Sequence, residues 1–328
     1  MARVLALGEV LIDFTPSGAS DRGRTLYECN PGGAPANMLG CLTQFGHTCE
    51  LIACVGDDAF GREIEGALAR AGIGLDYLKR TSDAPTTLAV VSLTPDGDRS
   101  FTFYRDHCAD ILVSPEDITS AMLEGAALVH VGSLSLTHEP ARTATMRLLA
   151  LARVAGVPVS YDPNLRPPLW KDMTAAREAL CSVLPHVDIL KLSEEEALFL
   201  AGEETGDGGA DGAARHLLDA HPNLRAAFVT MGPEGSAYYL PSGESGHVPA
   251  CRGERVVDTT GAGDYFFAGA LSRVLEAGIN VLDADIAREA CERGNRCGYR
   301  VALVRGALGV RVMESADGRG SGGTLLSF

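Results

Sequence analysis

Asp258-Thr259-Thr260-Gly261-Ala262-Gly263-Asp264-Tyr265-Phe266-Phe267-Ala268-Gly269-Ala270 decides how this chain is read. An apolar helical pattern starts directly after Asp264, so a loop passes here into a helix near Ala262–Glu276. Glycines on either side of Ala262 let backbone amides converge without Cβ obstruction. The amino end of the helix adds partial positive charge, and together these make a place for an anion. Asp264 stands one residue beyond it. A carboxylate beside an anion site makes chemical sense if it takes the proton from an atom attacking phosphorus. The plainer reading is that Asp264 caps the helix and the glycines only turn the chain.

Outward from that stretch, β-rich apolar runs alternate with helical ones. Strands are expected at Val4–Ile12, Leu51–Val55, Leu128–Gly132, Val157–Tyr161, Ile189–Leu192, Ala226–Met231 and Ser236–Leu240. Helices are expected at Pro35–Phe45, Ala59–Ala71, Arg142–Ala155 and Ala284–Tyr299. Such alternation predicts an α/β fold, a mainly parallel sheet covered by helices on both faces. Thr86–Thr94 and Arg99–Tyr104, joined by the turn Pro95-Asp96-Gly97-Asp98, form a hairpin. With Thr25–Cys29 it would build a small antiparallel sheet, a lid from about 14–31 and 85–108. Leu88, Val90, Phe101 and Phe103 are read as its apolar outer face, suited to pairing with a second copy. Gly206–Gly212 is expected to be a surface loop and 314–328 a flexible tail on a single domain spanning 1–328.

The 328 residues carry a net charge of -15, with 46% hydrophobic and 22% charged residues. That balance fits a globular chain and opposes binding to nucleic acid or anionic membranes. Nine cysteines without a C-x-x-C pair suggest reduced thiols. With no signal-peptide pattern and no spanning run, the expected location is the cytoplasm. G-x-x-x-x-G-K-[ST], a strand-linked G-x-G-x-x-G, H-E-x-x-H and G-x-S-x-G are all absent. Phosphate must be handled some other way.

Asp258–Gly269 resembles the C-terminal signature of the ribokinase-like sugar kinases, the PfkB carbohydrate kinase family. Gly32-Gly33-Ala34-Pro35-Ala36-Asn37, followed by Gly46, resembles its N-terminal signature. The likeness runs from Gly8-Glu9-Val10-Leu11-Ile12-Asp13 to Arg305-Gly306-Ala307. It implies a three-layer α/β/α ribokinase-like fold with a small β-sheet lid, and transfer of the ATP γ-phosphoryl group to a sugar hydroxyl. By that resemblance Asp264 is the base and Gly261, Ala262 and Gly263 form the anion hole. Asp13, at the end of the first strand, would bind sugar hydroxyls together with Gly32, Gly33 and Asn37. Thr230, Gly232 and Gly235, within Val229–Gly235, would border the ATP phosphates, and Asn295 the adenine. Lys191 would lie near phosphate. Ser193 stands where the family usually has Asn, and Glu196, three residues on, would orient water on Mg²⁺. Asp258 and Thr260 would help hold a monovalent cation such as K⁺, as in many relatives.

Asp162-Pro163-Asn164-Leu165-Arg166 and Phe103-Tyr104-Arg105, with Ala109-Asp110, most resemble bacterial fructokinases. Arg105 and Arg166 leave open a 2-keto-3-deoxygluconate kinase, where arginine would meet the substrate carboxylate; the alternatives are that Arg105 anchors the lid and Arg166 approaches the ATP phosphates. The same residues also admit a ribokinase-type kinase or, in a different class, a non-catalytic sugar or nucleoside sensor. Asp110 favours a neutral sugar, because it would partly neutralise Arg105.

Overall fold

A computed structural model of the protein describes residues 1–93, 99–202 and 208–312. The expected turn at 95–98 and the tail at 314–328 lie outside the described residues, as do the first two residues of the 206–212 patch.

In chain order the elements begin with β1 (Arg3–Leu7), β2 (Leu11–Ala19), β3 (Thr25–Gly32), α1 (Ala34–Gln44), β4 (Thr48–Gly56) and α2 (Ala59–Arg70). Next come β5 (Ile73–Gly74), β6 (Leu78–Thr81), β7 (Leu88–Leu93), β8 (Arg99–Tyr104), β9 (Ala126–Val131) and α3 (Ala141–Ala155). β10 (Val159–Tyr161), α4 (Met173–Cys181), β11 (Ile189–Ser193), α5 (Glu194–Ala201) and α6 (Gly209–Ala220) follow. The described part closes with β12 (Ala226–Thr230), β13 (Ser236–Tyr239), β14 (Ser245–Val248), α7 (Ala262–Ala277) and α8 (Ala284–Val301).

Among the described residues ten strands form the main sheet, in the order β14-β13-β12-β11-β10-β9-β1-β4-β5, with β6 also paired to β4. From β12 to β5 every pairing is parallel, and β13 and β14 run antiparallel at the far edge. Alternation along the strands sends side chains to two cores. Leu5, Leu7, Val129 and Tyr161 pack under α3–α6. Val4, Ala6 and Phe228 pack under α1, α2, α7 and α8. Helices on both faces are what a buried parallel sheet requires, so the three-layer expectation holds. Local signals hold too: Asp58 caps α2 by accepting from Gly61 N at 2.8 Å.

Four expectations need correction. The first strand does not run from Val4 to Ile12. It ends at Leu7, and Gly8-Glu9-Val10 carries the chain across into a second sheet, β3-β2-β7-β8. Apolar runs on both sides of Gly8-Glu9 hid the crossing, because both halves are buried. That small sheet is mixed, since β2 pairs parallel with β7 while β2–β3 and β7–β8 are antiparallel. Its apolar residues also do not share one outer face. Register sets Asp13 beside Ala89 and Ala89 beside Phe103, while Leu88 pairs with Tyr104 and Val90 with Thr102. Phe101 and Phe103 therefore lie on the same face as Asp13, away from Leu88 and Val90. Finally, Gly209–Gly212 opens helix α6.

Candidate active site

Gly261 sits at φ 76 and caps α7 in the left-handed region, where an added Cβ would meet Ala307 Cβ at 2.5 Å. Only glycine fits that turn. Ala262 N closes the turn on Thr259 O at 3.1 Å, so it is not available to an anion as expected. The amides of Gly261 and Gly263 have no protein partner among the described residues. Of the three expected amides, those two remain open to a ligand.

Asp264, 8% exposed, projects from the first turn of α7. Asn37 Nδ2, on α1, donates to Asp264 Oδ2 at 2.8 Å, and Asn164 Nδ2 donates to Oδ1 at 3.3 Å. The plain cap reading fails here, because neither oxygen serves the helix's own amides. Burial, reinforced by Asp162, pushes the carboxyl up to about 6 against the pull of the Asn37 bond, Lys191 and Arg166. Burial also lifts Asp13 to about 6, with Arg166 opposing. Lys191, nearly buried, pairs with Asp162 at 2.9 Å. Burial pulls its ammonium down, but Asp162, Glu196 and Asp264 outweigh that and hold it above its usual value.

Two cavities meet at this point. One, of about 270 Å³, is bordered by Asp13, Gly33, Asn37, Arg166, Lys191 and Asp264, with Phe101 and Phe103 from the small sheet. Those two rings stack with centroids 6.2 Å apart. The other, of about 470 Å³, is bordered by Thr230, Gly232, Gly235, Phe266, Asn295 and Tyr299. Thr259, Ala262 and Gly263 line both. The amino end of α7 thus stands between a polar cleft and a mostly apolar one.

Several expected residues take other tasks. Arg105 is buried away from the cleft, pairing with Asp110 at 2.7 Å and donating to Thr137 Oγ1 and Leu134 O. Direct contact with a sugar gives way to bracing the wall, because its guanidinium is fully engaged. Gly32 borders neither cavity; an added Cβ would lie 2.9 Å from Asp13 Oδ2, so it makes room for that carboxylate. Ser193 lies beside a third cavity, with Lys191 and Glu196, rather than in the 470 Å³ cleft. Its Oγ caps α5 by accepting from Glu196 N. Glu196 in turn accepts from Ser193 N at 2.8 Å and Leu165 N at 2.7 Å. It is a buried clamp rather than part of a solvated face. Asn295 Nδ2 holds Val248 O and Pro249 O, shaping the apolar cleft. Asp258 Oδ1 accepts from Thr260 N at 2.7 Å.

Asp162, Asn164 and Glu9 are site residues that the sequence reading did not assign. Asn164 is held at φ 44 just after β10, and the Asp-Pro-Asn run was the signal for such a strand-end turn. Asn37 Oδ1 is buried without a partner, as expected where a ligand hydroxyl completes the set.

Among the described residues no helix is long and apolar enough to cross a membrane. Known proteins agree with the geometry. The family model described as pfkB family carbohydrate kinase matches residues 1–311. Probable fructokinase-6, chloroplastic, of Arabidopsis thaliana is 40% identical over 308 residues, covering 93% of this chain and 78% of that protein. The structure of a fructokinase with bound ATP from Xylella fastidiosa superposes with a TM-score of 0.84 at 30% identity, covering 93% of this chain and 94% of that one. A Vibrio cholerae fructokinase double mutant, in fructose, ADP and potassium ion bound form, gives 0.81 at 28% identity, covering 94% and 95%. With both signatures in place around one cleft, the chain belongs to the pfkB family of carbohydrate kinases.

Proposed function

We propose that this protein transfers the γ-phosphoryl group of ATP to D-fructose, giving fructose 6-phosphate and ADP. The carrying observation is the convergence of Asp264, the open amides of Gly261 and Gly263, and two cavities at one helix end. The polar cleft takes the sugar, through Asp13, Asn37 and backbone at Gly33. ATP lies along Thr230, Gly232, Gly235 and Asn295, with Lys191 and Arg166 toward the transferring phosphate. Asp264 takes the proton as the sugar oxygen attacks phosphorus and the bond to ADP breaks. The Gly261 and Gly263 amides stabilise charge on the group in transit.

Among the described residues no group of three or more His, Cys, Asp or Glu could hold a metal. Mg²⁺ would be carried on the ATP phosphates and water, with Glu196, buried beside Lys191, orienting that water; the ion would supply charge neutralisation. Asp258 and Thr260 are assigned to a K⁺ site beneath α7. Its test is activity in potassium against sodium salts, with higher activity in potassium expected. A second copy is proposed to pair through the small sheet, on the side carrying Tyr27 and Tyr104, which are 45% and 60% exposed. Nine unpaired cysteines fit a reducing, cytoplasmic setting.

Fructose is favoured over 2-keto-3-deoxygluconate because Arg105 is neutralised by Asp110 behind the wall. The deciding measurement is kcat/KM for both, with ribose and a purine nucleoside as controls. Fructose should lead. A sugar acid ahead by tenfold, about 1.4 kcal/mol, overturns the assignment and makes Arg166 a carboxylate partner.

A further inference from the structure

The sugar cleft holds one more buried carboxyl, which the reaction above does not use. Glu9, 4% exposed, lies in the crossing between β1 and β2 and borders the cleft with Asp13, Asn37 and Asp264. Its Oε1 accepts from Ala34 N at 3.1 Å, and no other residue's side chain bonds or pairs with it among the described residues. Gly33, the residue that starts α1, stands at φ 122 and offers no side-chain cap. An added Cβ there would lie 2.5 Å from Glu9 O. Glu9 thus presses its backbone against the turn and supplies the cap that glycine lacks. Asn37, one turn further along α1, then reaches Asp264.

Arg105 and Asp110 face Glu9 from behind, already paired with each other. Across the cleft stand Asp13, Asp264, Arg166 and Lys191. Burial raises the Glu9 carboxyl from 4.5 to about 7, with its own amide, Arg105 and Ala34 N opposing and Asp110 adding.

We propose that Glu9 is a specificity-determining residue for the acceptor: one carboxyl oxygen fixes the start of α1, and the other accepts a hydrogen bond from a hydroxyl of a neutral sugar. This rests on the sugar-kinase reading above. A hydroxyl donates best to the ionised form, so sugar binding draws the proton off Glu9. An acidic acceptor would instead bring its anion against Glu9, Asp13 and Asp264, which disfavours it.

Calorimetry on the full-length, ATP-free protein tests this, with D-fructose first and the best neutral acceptor of the kinetic panel if that differs. Wild type should release roughly half a proton per sugar at pH 7, read from buffers of different ionisation enthalpy, and bind more tightly as pH rises from about 6.5 to 8. Glu9→Gln keeps an acceptor for Ala34 N. It should weaken the sugar about tenfold or more, flatten that pH dependence, leave ATP affinity near wild type, and not lower Tm, since a neutral amide is spared the burial that raises the carboxyl. Asp13 and Asp264 titrate near 6, so their share persists in the variant. Unchanged sugar affinity in Glu9→Gln overturns the proposal. Parallel losses of ATP affinity and Tm also overturn it, by making Glu9 a structural cap only. If the variant does not fold, the absence of proton release in wild type decides against it. If no neutral sugar binds wild type, the inference falls with the sugar-kinase reading; if one binds and Glu9→Gln changes nothing, it falls alone.

Discussion

At the scale of single residues, Asp264 carries the sharpest expectations. Asp264→Asn should keep ATP affinity and lower kcat by roughly two to four orders of magnitude. A near-normal rate would mean that the proton leaves by another route. Because the base must be ionised, and its carboxyl in the free protein is lifted from 3.8 to about 6, wild-type kcat/KM for the sugar should fall at least tenfold per pH unit below 6. The same shift has a consequence for stability. A raised carboxyl favours the fold in its neutral form, fully so below 3.8, and that contribution is lost as pH rises through 6. Asp264→Asn should therefore raise Tm at pH 8, corresponding to up to about 3 kcal/mol. Thermal melts at the two ends check this: no gain at pH 8, or an equal gain at pH 4, refutes the burial argument.

Elements set what those residues can do. The start of α7 is open because Gly261 turns left-handed and Gly263 has no side chain; a Cβ at Gly263 would lie 3.0 Å from Lys191 Nζ. Gly263→Val should crowd the phosphoryl path and displace that ammonium from Asp162. A loss of roughly a hundred- to a thousand-fold in kcat is expected, with little change in Tm, since the nearest group is the end of a flexible side chain. Unchanged kinetics in a folded variant would remove the anion-hole assignment. The start of α5 behaves differently. Glu196 accepts two backbone amides there, and a glutamine oxygen can replace only one of them. Glu196→Gln should cost about 1–2 kcal/mol of stability. If Glu196 also orders water on the metal, the Mg²⁺ concentration for half activity should rise as well. A lower Tm with unaltered Mg²⁺ dependence would leave it a clamp.

For the molecule as a whole, the small sheet works on both sides. Its cleft side brings Asp13, Phe101 and Phe103 to the polar cleft, and its other side leaves Tyr104 60% exposed. If two copies join through that surface, Tyr104→Glu should shift sedimentation from dimer to monomer, since a charge there loses its hydration on pairing. It should also raise KM for the sugar more than KM for ATP, as the sheet borders only the sugar cleft. A wild-type monomer at all concentrations would dismiss the pairing.

The sequence alone determined the alternation of strands and helices, the loop-to-helix turn at Gly261–Asp264 and the likeness to a kinase family. Each is written locally: period, glycine placement and helix-start chemistry depend on residues a few positions apart. Asp264 and Asn37 were legible for the same reason, although their bond joins positions 227 apart in sequence. Tertiary structure decided the rest. Gly8-Glu9-Val10 leaves one sheet for another between two apolar runs that read as one strand, because both ends of the crossing are buried. Arg105 looked available for a substrate until folding placed Asp110, Thr137 and Leu134 around it. Glu196 reads as one of three acidic residues in a row, yet only the approach of Leu165 N fixes it as a buried clamp. Partners and burial belong to the packed chain. A charged residue's task depends on which donors the fold brings to it, and spacing in sequence does not record that.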